Sequence, residues 1–497
     1  MSWFSGLWDR AKEWFMSKLP VQDIYNKMGV KPQVSVDMQS LIDAWKATYQ
    51  GHPSWKSEDM LTLSFPSIVC WDIAKKAIGE LEISASLPTP EGQKAVIDEN
   101  STDYIKRNIR PFIRSQVEYG LAMGGIVARP WYDQDTKKTR IGFYTADNAL
   151  PTKWDGKKMT GVILIDQITK NSAGSYTTYT KLESIEPSDS LYDPQTNQTA
   201  SGWMIKTRIF KSTVKSSIGQ EITFASAPSQ WAGITPDVPV LGNVCPFAYM
   251  GTPWANNQDL NSPQGTSIFR DAMENLEELD RTYTNLSWEI EAGKAALFID
   301  ESLLDIDESG NIKETQTEKR LYRKTASGDG NLLEPYNPPI RIEQLNAALK
   351  TQLSVICMLC HLDAGAYVYD AAQTSVTATE VRTKQQQTYG TILDIQDNMI
   401  RPFIKDLIDT VRGVQILYVQ DKAEWIREDI EVGIDFGDSI LVDEETDRAT
   451  AQSEVSLGLR SKLAYLMEWR GMTEAHALAE IKRIQEETPV QQTFFGA

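Results

Sequence analysis

The sequence predicts an α+β fold, on three observations. Arg341 to Val411 reads as two helices around a short aromatic loop, Ile126 to Phe224 reads as consecutive strands, and Phe269 to Ile290 repeats apolar residues in steps of three and four. At 497 residues with 41% hydrophobic content, the chain has material for about two to four folding units with buried cores.

From the start, Trp3, Phe4, Leu7, Trp8, Ala11, Trp14, Phe15 and Leu19 share one helical face, with Asp9, Arg10, Lys12 and Glu13 opposite. This is not the unbroken apolar core of a signal peptide, and its balanced polar face suits docking on protein better than a membrane surface. No run of about 18 apolar residues follows anywhere, so no membrane-spanning helix is expected. Val21 to Gly125 reads as mostly helical: Ile105, Ile109, Phe112, Ile113 and Val117 lead to a break at Gly124-Gly125. Strands are then expected at Thr139 to Tyr144, Gly161 to Gln167, Ser175 to Leu182 and Trp203 to Phe210, most simply as a meander. Ala225 to Pro263, rich in Pro, Asn and Gly, reads as a loop and a boundary.

The next helix carries Phe269, Ala272, Leu276, Leu279, Tyr283, Leu286 and Ile290, a narrow seam of the kind helices use against other helices, and Gly293 ends it. Lys294 to Ile340 reads as a small β-rich insert with turns at Ser309-Gly310-Asn311 and Ser327 to Gly330, and it holds the densest basic cluster, Lys319, Arg320, Arg323 and Lys324. A second helix follows from Arg341, with Ile342, Leu345, Leu349, Leu353, Ile356 and Leu359 on its buried face and Gly365 as its stop. Ala366 to Ser375 is too short to form a core and is expected to project. The third helix opens at a capping box, Thr377 with Glu380, and buries Tyr389, Ile392, Met399, Phe403, Leu407 and Val411. Pro402 removes a backbone donor, so a kink near Met399 is expected in a rod of about 36 residues and roughly 54 Å. Ile430 to Phe436 reads as a strand returning to an earlier sheet. Tail helices are expected at Glu444 to Leu457, Leu459 to Arg470 and Thr473 to Glu487.

Composition and motifs narrow the chemistry. With 50 Lys and Arg against 68 Asp and Glu, the formal charge of −18 disfavours tight nucleic-acid binding, whose affinity comes from cations displacing counterions. Cys70, Cys245, Cys357 and Cys360 are too few and scattered for a disulfide framework and read as free thiols. Cys357-Met358-Leu359-Cys360-His361 matches a haem-attachment pattern, yet it lies within an amphipathic helix where both cysteines serve as small hydrophobes. Asp305, Asp307, Ser309, Gly310 and Ile312 begin like a calcium loop, but Gln316 stands where a bidentate Glu belongs, and a hairpin turn explains the same residues. Phosphate-loop, zinc-protease and serine-hydrolase signatures are absent, and no titratable groups converge. The expectation is a non-enzyme with no metal and no cofactor.

The order of elements, together with Tyr119 to Tyr132 (YGLAMGGIVARPWY), Ala146 to Pro151, Thr377 to Val381 and Tyr389 to Ile392, resembles the portal proteins of tailed bacteriophages, nearest to those of long-tailed phages of Gram-positive hosts. The resemblance implies a ring of about twelve copies at one capsid vertex, through which double-stranded DNA is packaged and ejected. It implies a wing over residues 1–263 with a returning strand in 413–437, stem helices over 264–293 and 341–365, and a clip over 294–340. A tunnel loop would span 366–376, a long wing helix 377–412 and a crown 438–497. On that reading Tyr367, Val368, Tyr369, Asp370, Ala371 and Gln373 face sequence-independent DNA, and Lys319, Arg320, Arg323 and Lys324 offer a clip surface. Phe269, Leu276, Leu279, Tyr283 and Leu286 would pack against neighbouring subunits. Implied partners are the terminase large subunit and then a head-completion adaptor, with scaffold and major capsid protein around the wing. Implied locations are the portal vertex of the virion and, during assembly, the host cytoplasm. The alternative is another ring-shaped head-to-tail connector, or a structural virion protein without a packaging role.

Overall fold

Two clusters of buried apolar residues lie on opposite faces of one sheet. The computed structural model describes residues 21–487 except 34, 91–94, 173–174, 194–195, 215–216, 294–295, 301–320, 325–332, 337–338, 368–385, 420–425 and 438–443. The amphipathic segment of residues 1–20, the capping box at Thr377 and the calcium-like loop therefore lie outside the described residues.

The first unit covers residues 1–373 and 384–436. Helices α1 (Val21–Met28), α2 (Val36–Tyr49) and α3 (Phe65–Ile78) precede a short strand β1 (Glu82–Leu87), then β2 (Val96–Ile97), α4 (Glu99–Asn108) and α5 (Arg110–Met123). β1 departs from the helical reading of this stretch. It is held by the returning strand, since Ile83 and Ala85 pair with Ile434 and Val432. After α5 come β3 (Gly125–Asp133), β4 (Lys138–Thr145), β5 (Ala149–Asp155), β6 (Lys158–Ser172), β7 (Ser175–Asp193), β8 (Gln198–Ser212), β9 (Gln220–Ile222), β10 (Asp237–Leu241) and β11 (Ala248–Gly251). The meander expectation holds in part: β6, β7 and β8 are sequential antiparallel neighbours in the order β10-β8-β7-β6-β5, whereas the strand expected at Thr139 to Tyr144 is β4, which pairs with β3 in a separate sheet that also holds β11.

Alternation along the strands sorts the side chains. Ile163, Ile165, Leu182 and Phe210 face α1, where Ile24 and Tyr25 are buried and the Tyr25 hydroxyl donates to the Pro151 carbonyl at 2.7 Å. Val162, Leu164, Ile185 and Ile205 face the other way, toward Val127 and Phe247. The segment read as a loop, Ala225 to Pro263, thus contributes two strands. β10 lies at the sheet edge, where Pro239 can sit within a strand without removing a ladder donor.

Helix α6 (Met273–Ala292) is preceded by a 3₁₀ turn at Arg270–Ala272. A small sheet follows, with β12 (Ala296–Asp300) parallel to β13 (Leu321–Lys324) and antiparallel to β14 (Leu333–Tyr336). Helix α7 (Ile342–Leu359) ends six residues short of the expected stop at Gly365. His361 adopts a left-handed φ of 59°, and the Leu362 amide closes back on the Cys357 carbonyl at 2.8 Å. Helix α8 (Gln386–Ile395) runs through a π-helical turn at Gln396–Ile400 into α9 (Arg401–Tyr418). A π-helical turn stands where a kink is expected near Met399: Pro402 lacks the N–H that would bond the Asn398 carbonyl, and the wider turn absorbs that gap. α9 continues to Tyr418, so residues 413–418 are helical and only β15 (Glu431–Asp435) forms the returning strand.

The second unit, residues 374–383 and 437–497, holds α10 (Glu444–Ser456), α11 (Lys462–Arg470) and α12 (Glu474–Glu487), as the tail pattern predicts. The Ser461 hydroxyl caps α11 by accepting from the Ala464 amide at 3.1 Å, and Gln452 of α10 reaches the Tyr465 hydroxyl at 2.9 Å.

Candidate functional site

The root of the aromatic loop is built from four separate parts of the chain. The left-handed turn at His361 sends the backbone away from α7, and the Thr391 hydroxyl donates to the His361 carbonyl at 2.6 Å. Asp363 then ties the outgoing strand of the loop to the helix where it returns. Its amide donates to the Thr388 hydroxyl at 3.0 Å, and its carboxylate accepts from the Thr388 and Gln387 amides at 3.0 and 3.4 Å. These bonds fix both ends of the loop to one another.

Tyr367 is fastened elsewhere. Its hydroxyl donates to Asp72 Oδ2 of α3 at 2.7 Å, and its ring meets Phe65 edge-on at 5.3 Å. Burial and the adjacent Asp72 carboxylate both push the phenol well above its ordinary value, so it remains a donor. Of the six residues read as facing the passage, Tyr367 is thus a half-buried anchor on the chain's own body. Val368, Tyr369, Asp370, Ala371 and Gln373 lie outside the described residues. Tyr367→Phe is expected to remove one hydrogen bond of about 1 kcal/mol and leave the fold intact. Faster amide exchange confined to residues 363–367 checks it.

Arg270 closes the root from the far side. Its guanidinium is buried, donates to Asn257 Oδ1 at 2.9 Å, pairs with Asp271 at 3.2 Å and lies over the Trp254 ring. Its Nη2 is 3.3 Å from His361 Nε2. Beneath this network Cys357 and Cys360 are buried, as the amphipathic reading of the C-x-x-C-H segment expects. Burial pushes the Cys357 thiol up to about 11 and the Cys360 thiol higher still, which keeps both protonated at neutral pH. Among the described residues no cluster of His, Cys, Asp and Glu is arranged to hold a metal ion, and no helix is long and apolar enough to cross a membrane.

The seam helix departs from expectation. Phe269, Leu276 and Leu279 are buried within the chain itself, so they cannot supply a surface for a neighbouring subunit; Tyr283 and Leu286 are half-buried. α6 instead packs along α7, joined by Gln352 to Thr282 at 3.0 Å and by a two-pronged contact of Arg341 on Glu289 at 2.9 and 3.0 Å. In the small sheet, Arg323 and Lys324 occupy β13 at register positions opposite Ile299 and Asp300, while Lys319 and Arg320 lie outside the described residues.

Comparison with known proteins decides the class. A family model described as "Phage portal protein, SPP1 Gp6-like" matches residues 91–493, most of the chain. The chain belongs to the phage portal protein family. That family is generally associated with DNA packaging and ejection at the capsid vertex. No curated protein sequence matches this portal-family chain. Among solved structures, a chain of "Neck of empty GTA particle computed with C6 symmetry" is similar over 87% of this chain and 93% of its own length, at 9% identity and a TM-score of 0.39. A likeness that distant has no bearing on the fold.

Sequence reasoning missed the residues that hold the portal chain's loop root. Arg270 sat inside a hydrophobic seam pattern, and Asp72 is 295 positions from Tyr367. Asp363 had a readable signal, an acid just before a loop of small residues, but its partner Thr388 lies on the far side of that loop.

Proposed function

We propose that this chain forms the ring at the portal vertex through which double-stranded DNA enters and leaves the capsid, with about twelve copies encircling the duplex. The observation that carries the reading is the family match over residues 91–493. Two features of the chain agree with it. A helix, a short loop pinned at its root and a second helix form a unit suited to presenting one loop per copy to a central passage. A net charge of −18 disfavours strong phosphate binding, and a conduit for a moving duplex needs weak, sequence-blind contacts.

On this reading the small sheet of β12, β13 and β14 is the clip, where the terminase large subunit docks during filling and a head-completion adaptor afterwards. Residues 438–497 are the crown, residues 366–376 the tunnel loop, and scaffold and major capsid protein surround the wing. The chain passes DNA without chemistry of its own; the motor supplies the energy.

The test is direct. The purified full chain, weighed in solution and imaged by electron microscopy, is expected to form closed rings of about twelve copies with a central channel. Heads assembled without it are expected to be empty of DNA. A chain that stays monomeric at every concentration, or heads that fill normally in its absence, overturns the proposal. Rings accompanied by normally filled heads in the chain's absence would instead identify a connector that acts after packaging.

A further inference from the structure

One surface of the wing has the composition of an interface centre and no partner among the described residues. On α3 the side chains of Phe65, Val69, Cys70, Ile73, Ala74 and Ala77 are buried. Ile68, Trp71 and Lys75, spaced by three and four, form a stripe on another face, with Ile68 44% and Trp71 45% exposed. Lys75 Nζ lies 5.2 Å from the Trp71 ring centroid, and the guanidinium of Arg114 on α5 lies 5.3 Å from the same ring. The indole thus holds two cations upright at the surface. Neighbouring cations are neutralised: Lys76 pairs with Asp72 at 2.8 Å and Arg107 with Asp103 at 2.6 Å. Lys75 and Arg114 pair with no carboxylate among the described residues.

We propose that the Ile68, Trp71, Lys75 and Arg114 surface docks an acidic face of a second copy of this chain. The proposal rests on the ring reading and names the contact that makes it. Copies carrying −18 each repel one another, so a ring of them needs local patches of opposite sign to bring them together. A head-to-tail ring also requires that the patch on one copy meet a different surface on the next, and a chain with 68 Asp and Glu against 50 Lys and Arg has carboxylates in excess to supply it. Exposed tryptophan with arginine is the composition of interface hot spots. A track for phosphate would carry cations without the apolar Ile68 and Trp71 beside them.

The experiment compares the wild-type full chain with Trp71→Ala, with Lys75→Glu/Arg114→Glu and with the milder Lys75→Ala/Arg114→Ala, measuring the concentration at which half the protein is assembled. Circular dichroism reports folding, and binding to a random-sequence duplex is read in parallel. Each variant is expected to keep the wild-type spectrum and to raise the half-assembly concentration at least about tenfold, with the charge reversal having the largest effect. Wild-type rings with unaffected variants overturn this proposal and leave the ring reading standing. Normal assembly with weakened duplex binding also overturns it and assigns the patch to DNA. A wild-type chain that never assembles overturns the ring reading and this contact with it.

Discussion

Replacing Gly124 by alanine is expected to destabilise the first unit by more than about 3 kcal/mol, whereas the same change at Gly156 is expected to cost only about 1 kcal/mol. Gly124 ends α5 with a φ of 87°, a left-handed conformation that costs an L-residue about 1–2 kcal/mol. Steric overlap costs more. A Cβ there would stand 2.2 Å from the Gly265 carbonyl oxygen and 2.8 Å from the Thr266 nitrogen, and both are backbone. That backbone cannot retreat cheaply, because the Gly124 carbonyl accepts from the Thr252 amide and the Leu121 carbonyl accepts from the Ile268 amide at 2.9 Å. Moving it would pull the segment before α6 off the end of α5. The combined strain is expected to exceed about 3 kcal/mol, a large share of what holds a domain together. Gly156 has a φ of 59° but open space around the added methyl, so Gly156→Ala carries only the conformational cost of about 1 kcal/mol. Soluble yield and the midpoint of thermal unfolding, measured side by side, check the contrast. Equal midpoints for the two variants would show that the close approach at Gly265 is not tight.

The same close approach illustrates what the sequence tells and what it hides. The pair Gly124-Gly125 was legible as a break between helix and strand, because two glycines at the end of an amphipathic run have a local meaning. That Gly124 must also admit Gly265 was not, since the two are joined only by the fold. The long meander was readable from alternation, and β15 from its isolation, although its partner β1 was not. Glu82 to Leu87 is a short strand with small residues, and what makes it a strand is pairing with residues some 350 positions away. The end of α7 was misplaced because His361, with no preference strong enough to announce a stop, is held in the left-handed region by Thr391, by closure of Leu362 on Cys357 and by Arg270. Pattern reading gave Phe269, Leu276 and Leu279 their apolar seam correctly but could not say whether the opposing surface belonged to the same chain or another.

Arg270→Met is expected to destabilise the protein by about 3 kcal/mol and to alter the titration of His361, which links the start of α6 to the loop root. A guanidinium only donates, so a His361 Nε2 facing Arg270 Nη2 at 3.3 Å must accept, which requires the neutral ring with its proton on Nδ1. Burial first, and Arg270 second, hold the His361 value below its ordinary one. The sign of the linkage follows: the folded chain gives up this proton more readily than the unfolded chain, so the unfolded state binds protons first and stability falls as pH drops below about 6.5. Methionine fills much of the space over Trp254 but removes the second cause, and His361 should then titrate closer to its ordinary value. The acid-side loss of stability should shrink accordingly, even though the variant is weaker at pH 7 because Asp271 has lost its ion-pair partner and keeps only the side-chain amides of Asn257 and Gln258. The chain has three histidines, so ¹³C labelling of histidine rings allows each to be followed by NMR through a titration. An unmoved His361 curve in a folded Arg270→Met protein would mean that the two side chains do not interact, and that the loop root depends on Asp363 and Tyr367 alone.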